Sequence, residues 1–274
     1  MEVNELKIQN QAWIAFSTNR YQKNDNAITR TLEKLSGGDK LTRAADNASG
    51  LSISETMRGQ IKGLARAQQN MQDGISVLEV TDAGLQHVSS VLQRVRELAV
   101  QSSTDTVTDD DRATAQNELD QLLQSIDDTA DKMEFNTQKI LGDVRPLYIH
   151  VGANSGQNFR IDTVNVSTSQ LGLAIAELTS QEKANELITK VDKAQTKISK
   201  HLANTGSDYE SLSHHKENVS NIEISLQKTE SLIRDPDLAL EMMEFVKQGI
   251  RQKGDELLIK HTNQNVCDVL RLFN

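Results

Sequence analysis

The chain's most reactive side chains are six histidines and one cysteine. Imidazole and thiolate groups bind metals or act as bases and nucleophiles when several of them converge. The histidines show no spacing that would bring ligands together, and the adjacent pair His214 and His215 points to different sides of a helix. Cys267 has no partner for an internal disulfide, and a lone cysteine is usually a small buried hydrophobe. We therefore predict no catalytic residue, no metal site and no cofactor.

Two short segments resemble ligand-binding motifs. The aspartates at positions 109–111 offer the oxygen ligands that Ca²⁺ and Mg²⁺ prefer. They follow Thr108 and precede a helical pattern, however, and acidic residues stabilise the first turn of a helix. The glycines of GANSGQN, residues 152–158, are followed by neither a lysine nor a helix, unlike those of a phosphate loop. We interpret the first segment as a helix start and the second as a turn, and we predict that the protein is not an enzyme.

Composition and charge exclude further classes. Aromatic residues make up 3% of the 274 residues and hydrophobic residues 36%, a balance that suits long helices with narrow apolar seams better than a thick core. The net charge of −9 disfavours a nucleic-acid partner, which would require a basic surface. No segment reaches the roughly 20 apolar residues of a membrane span. We expect neither nucleic-acid binding nor membrane insertion.

Two heptad stripes indicate which elements organise the chain. A seven-residue apolar repeat is typical of a helix that lies along another helix. The stripes are far apart in sequence, so we expect their helices to pair as antiparallel partners. The first stripe comprises Met57, Leu64, Met71, Leu78, Leu85, Leu92 and Ala99, and the second Val191, Ile198, Thr205, Leu212, Val219, Leu226 and Ile233.

The remaining segments complete a mainly α fold. Alternating apolar residues around the glycine turn predict a β-hairpin at about residues 146–167. Both chain ends read as helices, and Pro236 indicates a helix boundary. We predict an elongated antiparallel helical bundle or coiled coil over residues 41–235, with the small β-hairpin region inside it. A terminal two-helix coiled coil would form from residues 1–40 and 236–274.

Six collinear segments resemble bacterial flagellin. They occur in that family's order, and the chain lacks the variable outer domains that many members insert after the hairpin. The resemblance implies a minimal flagellin. The segments are LTRAADNASGLSISETMRGQIKGLARAQQNMQDGISVLEV, LQRVRELAVQSS, DDDRATAQNELDQLLQSIDD, EFNTQKIL, VGANSGQN and ESLIRDPDLALEMMEF.

The resemblance also implies a function. A flagellin is a structural subunit that self-assembles into the bacterial flagellar filament for motility, and it is secreted to the extracellular flagellum. Partners implied by the family are other copies of the chain, hook-associated junction and cap proteins, a flagellar export chaperone and the type III export apparatus. The terminal helices would then form the inner core of the filament, with Trp13, Leu270 and Phe273 packed between subunits.

The same resemblance assigns a role to the polar face of LQRVRELAVQSS. In flagellins this face packs against the next subunit, and in some members it is recognised on monomers by Toll-like receptor 5. The residues that match the family pattern are Arg94, Leu98, Gln101 and Glu118. From composition alone, the same residues would be a solvated helix face.

Two alternatives remain open at the level of sequence. A hook–filament junction protein shares related terminal helices, although the unbroken RDPDLALEMMEF favours flagellin. A coiled-coil adaptor protein would explain the heptads but not the hairpin. Growth into long filaments separates flagellin from both.

The first heptad stripe can be tested by mutation. Leu78→Asp should lower the free energy of unfolding by several kcal/mol, because it places an unpaired carboxylate in the seam. Gln72→Ala, on the same predicted helix but off the stripe, should change it little. Thermal unfolding of the two variants checks the assignment, and equal melting temperatures would show that it is wrong.

Overall fold

The structure is a computed structural model that describes the backbone of residues 2–272 and the side chains of residues 12–264. It confirms the predicted mainly α fold with a small β region. No described helix combines the length and the apolar character needed to cross a membrane. The elements are α1 (Glu2–Gly37), α2 (Ala48–Ser102), α3 (Asp109–Lys132), β1 (Glu134–Phe135), β2 (Gln138–Lys139), β3 (Pro146–His150), β4 (Asn158–Asp162), α4 (Thr168–Leu171), α5 (Gln181–Arg234) and α6 (Leu238–Leu272).

The chain divides into two compact units. One comprises Met1–Gly59 with Leu226–Asn274, and the other comprises Gln60–Ser225. We call them the terminal unit and the central unit. Helices α2 and α5 contribute residues to both.

Helices α2 and α5 run antiparallel within the central unit. Gln68 Nε2 donates to Glu223 Oε2 at 2.6 Å, and Gln195 Nε2 donates to Ser89 Oγ at 2.9 Å. Sequence positions therefore rise along α2 while their partners fall along α5. This arrangement brings the two predicted heptad stripes onto one core.

The stripes supply that core, as predicted. Helix α3 adds Leu119 and Ile126 to the same cluster. Burial of each large aliphatic side chain contributes about 1.5–3 kcal/mol. The stripe residues that are at most 1% exposed are Met71, Leu78, Leu85, Leu92 and Ala99 of α2, and Val191, Ile198 and Leu212 of α5.

The aspartate run begins α3, as the sequence predicts. The Thr108 hydroxyl accepts a hydrogen bond from the Asp111 backbone N–H, and the Asp111 carboxylate accepts one from the Thr108 backbone N–H. The Thr108 hydroxyl also donates to Asp111 Oδ2 at 2.7 Å, which lowers the pKa of that carboxyl group. This capping box satisfies helix donors that otherwise lack partners.

The predicted hairpin is present but shorter than expected. Strands β3 and β4 pair antiparallel, with Leu147 opposite Ile161. The chain leaves the ladder at Thr163, whose hydroxyl accepts from the Arg145 backbone N–H at 2.8 Å. Val166, which the pattern placed in the hairpin, is instead buried in the helical core.

Sequence reasoning missed a second hairpin, formed by β1 and β2. Its turn places Asn136 at φ +48° and Thr137 at φ +64°. Positive φ at both central residues suits a tight hairpin turn, but a β-branched residue rarely adopts it. No glycine marks this turn, and each strand has two residues, so the local pattern carries no hairpin signal.

One arginine joins three segments of the terminal unit. Arg234, at the end of α5, donates through Nε to Asp39 Oδ1 at 2.8 Å and through Nη1 to Glu55 Oε1 at 2.7 Å. Its carbonyl oxygen accepts from the Lys40 backbone N–H at 2.6 Å. The Arg234 side chain is 13% exposed, but Asp39 and Glu55 are 35% and 58% exposed, so solvent partly screens these charge-assisted bonds.

The break between α5 and α6 falls where Pro236 predicts it. The Asp237 carboxylate accepts from the backbone N–H groups of Ala239 and Leu240, at 3.0 and 3.2 Å. Asp237 therefore stabilises the first turn of α6.

Arg234 lowers the pKa of Asp39 by its side-chain hydrogen bond, against the opposing effect of burial. A carboxyl group with a lowered pKa in the folded state stabilises the fold above its ordinary pKa of about 3.9. That stabilisation is lost as the pH falls through the lower folded-state pKa. The joint should therefore be strong near neutral pH and weak in strong acid.

Replacing Arg234 tests this joint. Arg234→Ala should lower the free energy of unfolding by about 2 kcal/mol near neutral pH, because it leaves Asp39 without its charged donor. The difference from the unmodified chain should shrink as the pH falls below about 3.9. Arg58→Ala is the comparison, since it removes a surface contact to the same Glu55 at 3.6 Å, worth about 0–1 kcal/mol, and only the smallest of the electrostatic effects on Asp39. Denaturant unfolding across pH checks both variants, and equal losses would contradict the role of Arg234.

Candidate assembly surfaces

One arginine on the polar face of α2 contacts α3. Arg94 Nε donates to Glu118 Oε1 at 2.8 Å, and Arg94 Nη1 donates to Glu97 Oε2 at 3.0 Å. Gln101 lies two turns further along α2 and is exposed. We call Arg94, Glu97, Gln101 and Glu118 the Arg94 surface.

Electrostatics fix the orientation of this arginine but add little stability. The hydrogen bond to Glu118, and then that to Glu97, raise the pKa of Arg94, which stays charged at every accessible pH. All three side chains are at least two-fifths exposed, so solvent screens their attraction. Such surface pairs contribute about 0–1 kcal/mol. The pairs therefore hold a guanidinium in a defined position at the surface.

The structure brings only part of the predicted set together. Arg94 and Glu118 are in contact, and Gln101 is on the same helix, but Leu98 is 3% exposed and belongs to the central core. In this single chain Leu98 therefore supports the Arg94 surface from beneath. The reason is the heptad geometry, which turns the side of α2 that carries Val95 and Leu98 inward.

The terminal unit pairs α1 with α6 through polar residues. Arg20 Nη2 lies 2.9 Å from Asp255 Oδ1, and Asn24 Nδ2 donates to the Gln248 carbonyl oxygen at 2.8 Å. Thr31 Oγ1 donates to Gln248 Oε1 at 3.2 Å. Gln248 is 8% exposed and Asp255 3%, so this polar seam is covered. The pairing is antiparallel, because partners of rising positions in α1 fall in α6.

The opposite face of α6 is apolar and exposed. We define the α6 stripe as Met242, Met243, Val246, Ile250 and Leu257, residues at helical three- and four-residue or seven-residue spacings. Each is more than half exposed, and Ile250 reaches 68%. In the described part of the terminal unit, polar groups are thus buried between the helices while several large apolar groups are exposed, which reverses the usual pattern.

Trp13 of α1 is exposed to solvent as well. Its side chain is 65% exposed and meets Phe16 edge to face, with ring centroids 6.3 Å apart. An exposed tryptophan of this size is unusual unless a partner covers it. The other predicted inner-core residues lie outside the described side chains, because Phe273 and the side chain of Leu270 are not part of the described chain.

A cavity of about 670 Å³ lies in the central unit between α2, α5 and the residues after β4. Burial raises the pKa of Asp208 and lowers that of His201, both of which line it. Across the described residues, no group of three or more His, Cys, Asp or Glu side chains converges as metal ligands. The cavity has no arrangement that indicates chemistry.

Sequence reasoning missed the polar seam, although a signal existed. Asn24 and Thr31 are seven apart in α1, and Gln248 and Asp255 are seven apart in α6. Polar residues at such spacings carry a weaker signal for helix pairing than an apolar stripe does. Several apolar residues with described side chains, such as Trp13 and Leu257, are exposed.

These features define a class of protein. Both ends of the chain form one helical pair, that pair exposes its apolar residues, and a second polar surface lies on the central bundle. A folded unit with apolar residues outside and polar residues inside is suited to packing against further copies or partners. The chain is a helical subunit of a larger assembly.

Comparison with known proteins names the family. The profile of the bacterial flagellin N-terminal helical region matches residues 8–145, and that of the C-terminal helical region matches residues 188–273. These matches cover more than half of the chain, which belongs to the bacterial flagellin family.

Individual relatives agree. A flagellin of Halalkalibacterium halodurans is 40% identical over 253 residues, covering 91% of this chain and 93% of the relative. A flagellar filament 30.7 kDa core protein of Treponema maltophilum is 34% identical, covering 92% of this chain and 94% of the relative. The crystal structure of Bacillus cereus flagellin is 29% identical with a TM-score of 0.50, covering 55% of this chain and 88% of that one.

Proposed function

We propose that this chain is a structural subunit that self-assembles into the bacterial flagellar filament and acts there without enzymatic activity. The observation that carries the proposal is the reversed terminal unit, with the α6 stripe exposed above a polar seam. Membership of the flagellin family supports the flagellar filament as the assembly.

The energetics favour burial of the stripe between copies. Each exposed aliphatic or methionine side chain gains about 1.5–3 kcal/mol when it is fully removed from water. Several such residues on one face offset the loss of freedom on association. The polar seam cannot supply this energy within one chain, because its groups exchange water for protein hydrogen bonds at a small net gain.

The terminal segments, residues 1–40 and 236–274, form the inner core of the filament in this proposal. Trp13, Leu270 and Phe273 would pack between neighbouring subunits there. The 65% exposure of Trp13 in the single chain supports the idea. Residues 41–235 would form the outer layer.

Further partners follow from membership of the family. A flagellin is secreted through the type III export apparatus with an export chaperone, and its filament meets hook-associated junction and cap proteins. We infer the same partners and the same extracellular location for this chain. The family matches are the support for them.

A hook–filament junction protein is the alternative within the same class. It would bind to the hook end without growing further. Both family profiles are those of flagellin, which favours the filament. Addition of purified chain to filament seeds decides between them, because a filament subunit extends the seeds into long polymers.

The α6 stripe should control this growth. Ile250→Asn should slow seeded elongation at least tenfold, because it replaces a buried apolar contact with an amide that lacks a partner. The free energy of unfolding of the unassembled chain should stay within about 0.5 kcal/mol, since Ile250 is exposed there. Light scattering and electron microscopy follow the growth.

Arg251→Asn is the matched control. Arg251 follows Ile250 on the same helix and is exposed, but it has none of the three-, four- or seven-residue spacings to the members of the stripe. This variant should elongate at about the normal rate. Normal growth of Ile250→Asn, or equal slowing of both variants, would contradict the role of the stripe.

We also propose two roles for the Arg94 surface. In the filament it packs against the next subunit, and on the monomer it is recognised by Toll-like receptor 5. The proposal is supported by the Arg94 guanidinium, which Glu97 and Glu118 hold in place. These ion pairs add little stability to the fold, so stability alone does not account for them. A preorganised arginine with an apolar stem is a frequent anchor at protein interfaces.

Arg94→Ala tests both roles. It should weaken receptor signalling by the monomer more than tenfold, and it should reduce motility, because directed hydrogen bonds to each partner are lost. A cell reporter for the receptor and a swimming assay measure the two effects.

Arg96→Ala is the control for this surface. Arg96 lies on the same helix and is about as exposed, but it forms one ion pair, with Asp192 of α5, where Arg94 forms two. Signalling by this variant should change less than threefold. Unchanged signalling and motility in Arg94→Ala would identify the Arg94 surface as an ordinary solvated face.

A further inference from the structure

Two adjacent methionines form the start of the α6 stripe. Met242 and Met243 are 54% and 65% exposed, whereas Met71 of the central core is fully buried. Their thioethers are therefore open to solvent in the unassembled chain. No role in stability within the single chain explains large apolar side chains at these positions.

Their neighbours place them in the proposed subunit contact. Val246 follows Met242 by one helical turn, and Ile250 follows Met243 by two turns. Met242 and Met243 thus share the surface that has no cover in one chain. Methionine suits such a surface, because its unbranched thioether adapts to irregular apolar partners.

From this position we infer that Met242 and Met243 are a modification site at which peroxide-class oxidants block assembly of the free subunit. The inference rests on the proposed function. It concerns the chain before assembly, because burial of the stripe between copies would cover both sulfur atoms.

The chemistry requires one oxidant molecule for each sulfur atom. The thioether attacks a hydroperoxide, an S–O bond forms and the O–O bond breaks. The sulfur atom loses two electrons and becomes a sulfoxide, and hydrogen peroxide is reduced to water. Methionine sulfoxide is strongly polar, so it opposes burial in an apolar contact, and reductase enzymes return it to the thioether.

The test uses the full chain and hydrogen peroxide. Unassembled chain is treated with graded peroxide, then with a thiol reductant that reverses disulfides and sulfenic acid at Cys267. Seeded elongation is measured, and mass spectrometry reports sulfoxide at each methionine. For each protein, the elongation rate after peroxide treatment is divided by its elongation rate without treatment, and this quotient is the ratio used below.

Two variants separate this site from other oxidisable groups. The double variant Met242→Leu with Met243→Leu keeps Met57, Met133, Trp13 and Cys267. Met57→Leu keeps the pair and removes a different methionine. We expect the ratio to fall at least tenfold for the unmodified chain and for Met57→Leu, but less than twofold for the double variant. Methionine sulfoxide reductases should restore growth of the oxidised chain.

Each other result overturns the inference. Sulfoxide at both positions with an unchanged ratio shows that the pair does not control assembly. An equal fall in the double variant places the sensitive group elsewhere. Unmodified, untreated chain that fails to extend seeds overturns the proposed function, and this inference with it, which distinguishes the two failures.

Discussion

Asp255 lies almost fully covered between α1 and α6, with Arg20 as its ion-pair partner at 2.9 Å. The two terminal helices meet through this pair and through the hydrogen bonds of Gln248, so the contact between them is polar. A buried carboxylate requires such a partner, because an unpaired charge away from water is costly. Several large apolar residues of these helices, among them Trp13 and Ile250, lie on the outside. The exposed stripe, and the dependence on other copies that we propose, follow from this arrangement.

The central unit is built on the opposite principle. Its heptad stripes are apolar, and Leu85, Leu92 and Ile198 are fully buried. It therefore contains its own core, and its surface can carry polar groups such as Arg94 that are held in place by partners of opposite charge. One chain thus combines a unit that buries its own apolar core with a unit that leaves large apolar residues exposed. This division suits a subunit that must fold alone and then assemble.

Arg234 shows how the connectors of the terminal unit are held. It binds Asp39 in the segment between α1 and α2, and Glu55 near the start of α2. Those segments contain few apolar residues that could order them. Charge-assisted bonds from a largely buried guanidinium add to the packing of the buried Leu41 there, and they are directional where packing is not. The position of the helices in this unit therefore depends on ion pairs as well as on the seam.

The sequence by itself determined the helices, the antiparallel pairing of α2 with α5, the capped start of α3 and the family. These features depend on local periodicity and on residues close in the chain. Only the tertiary structure decided which face of α6 is covered, because that depends on whether Gln248 and Asp255 find partners in α1. It also ended β4 at Asp162 and placed Val166 in the helical core rather than in the hairpin. Such contacts join residues far apart in sequence, so a local pattern, such as the seven-residue spacing of Gln248 and Asp255, does not identify their partners.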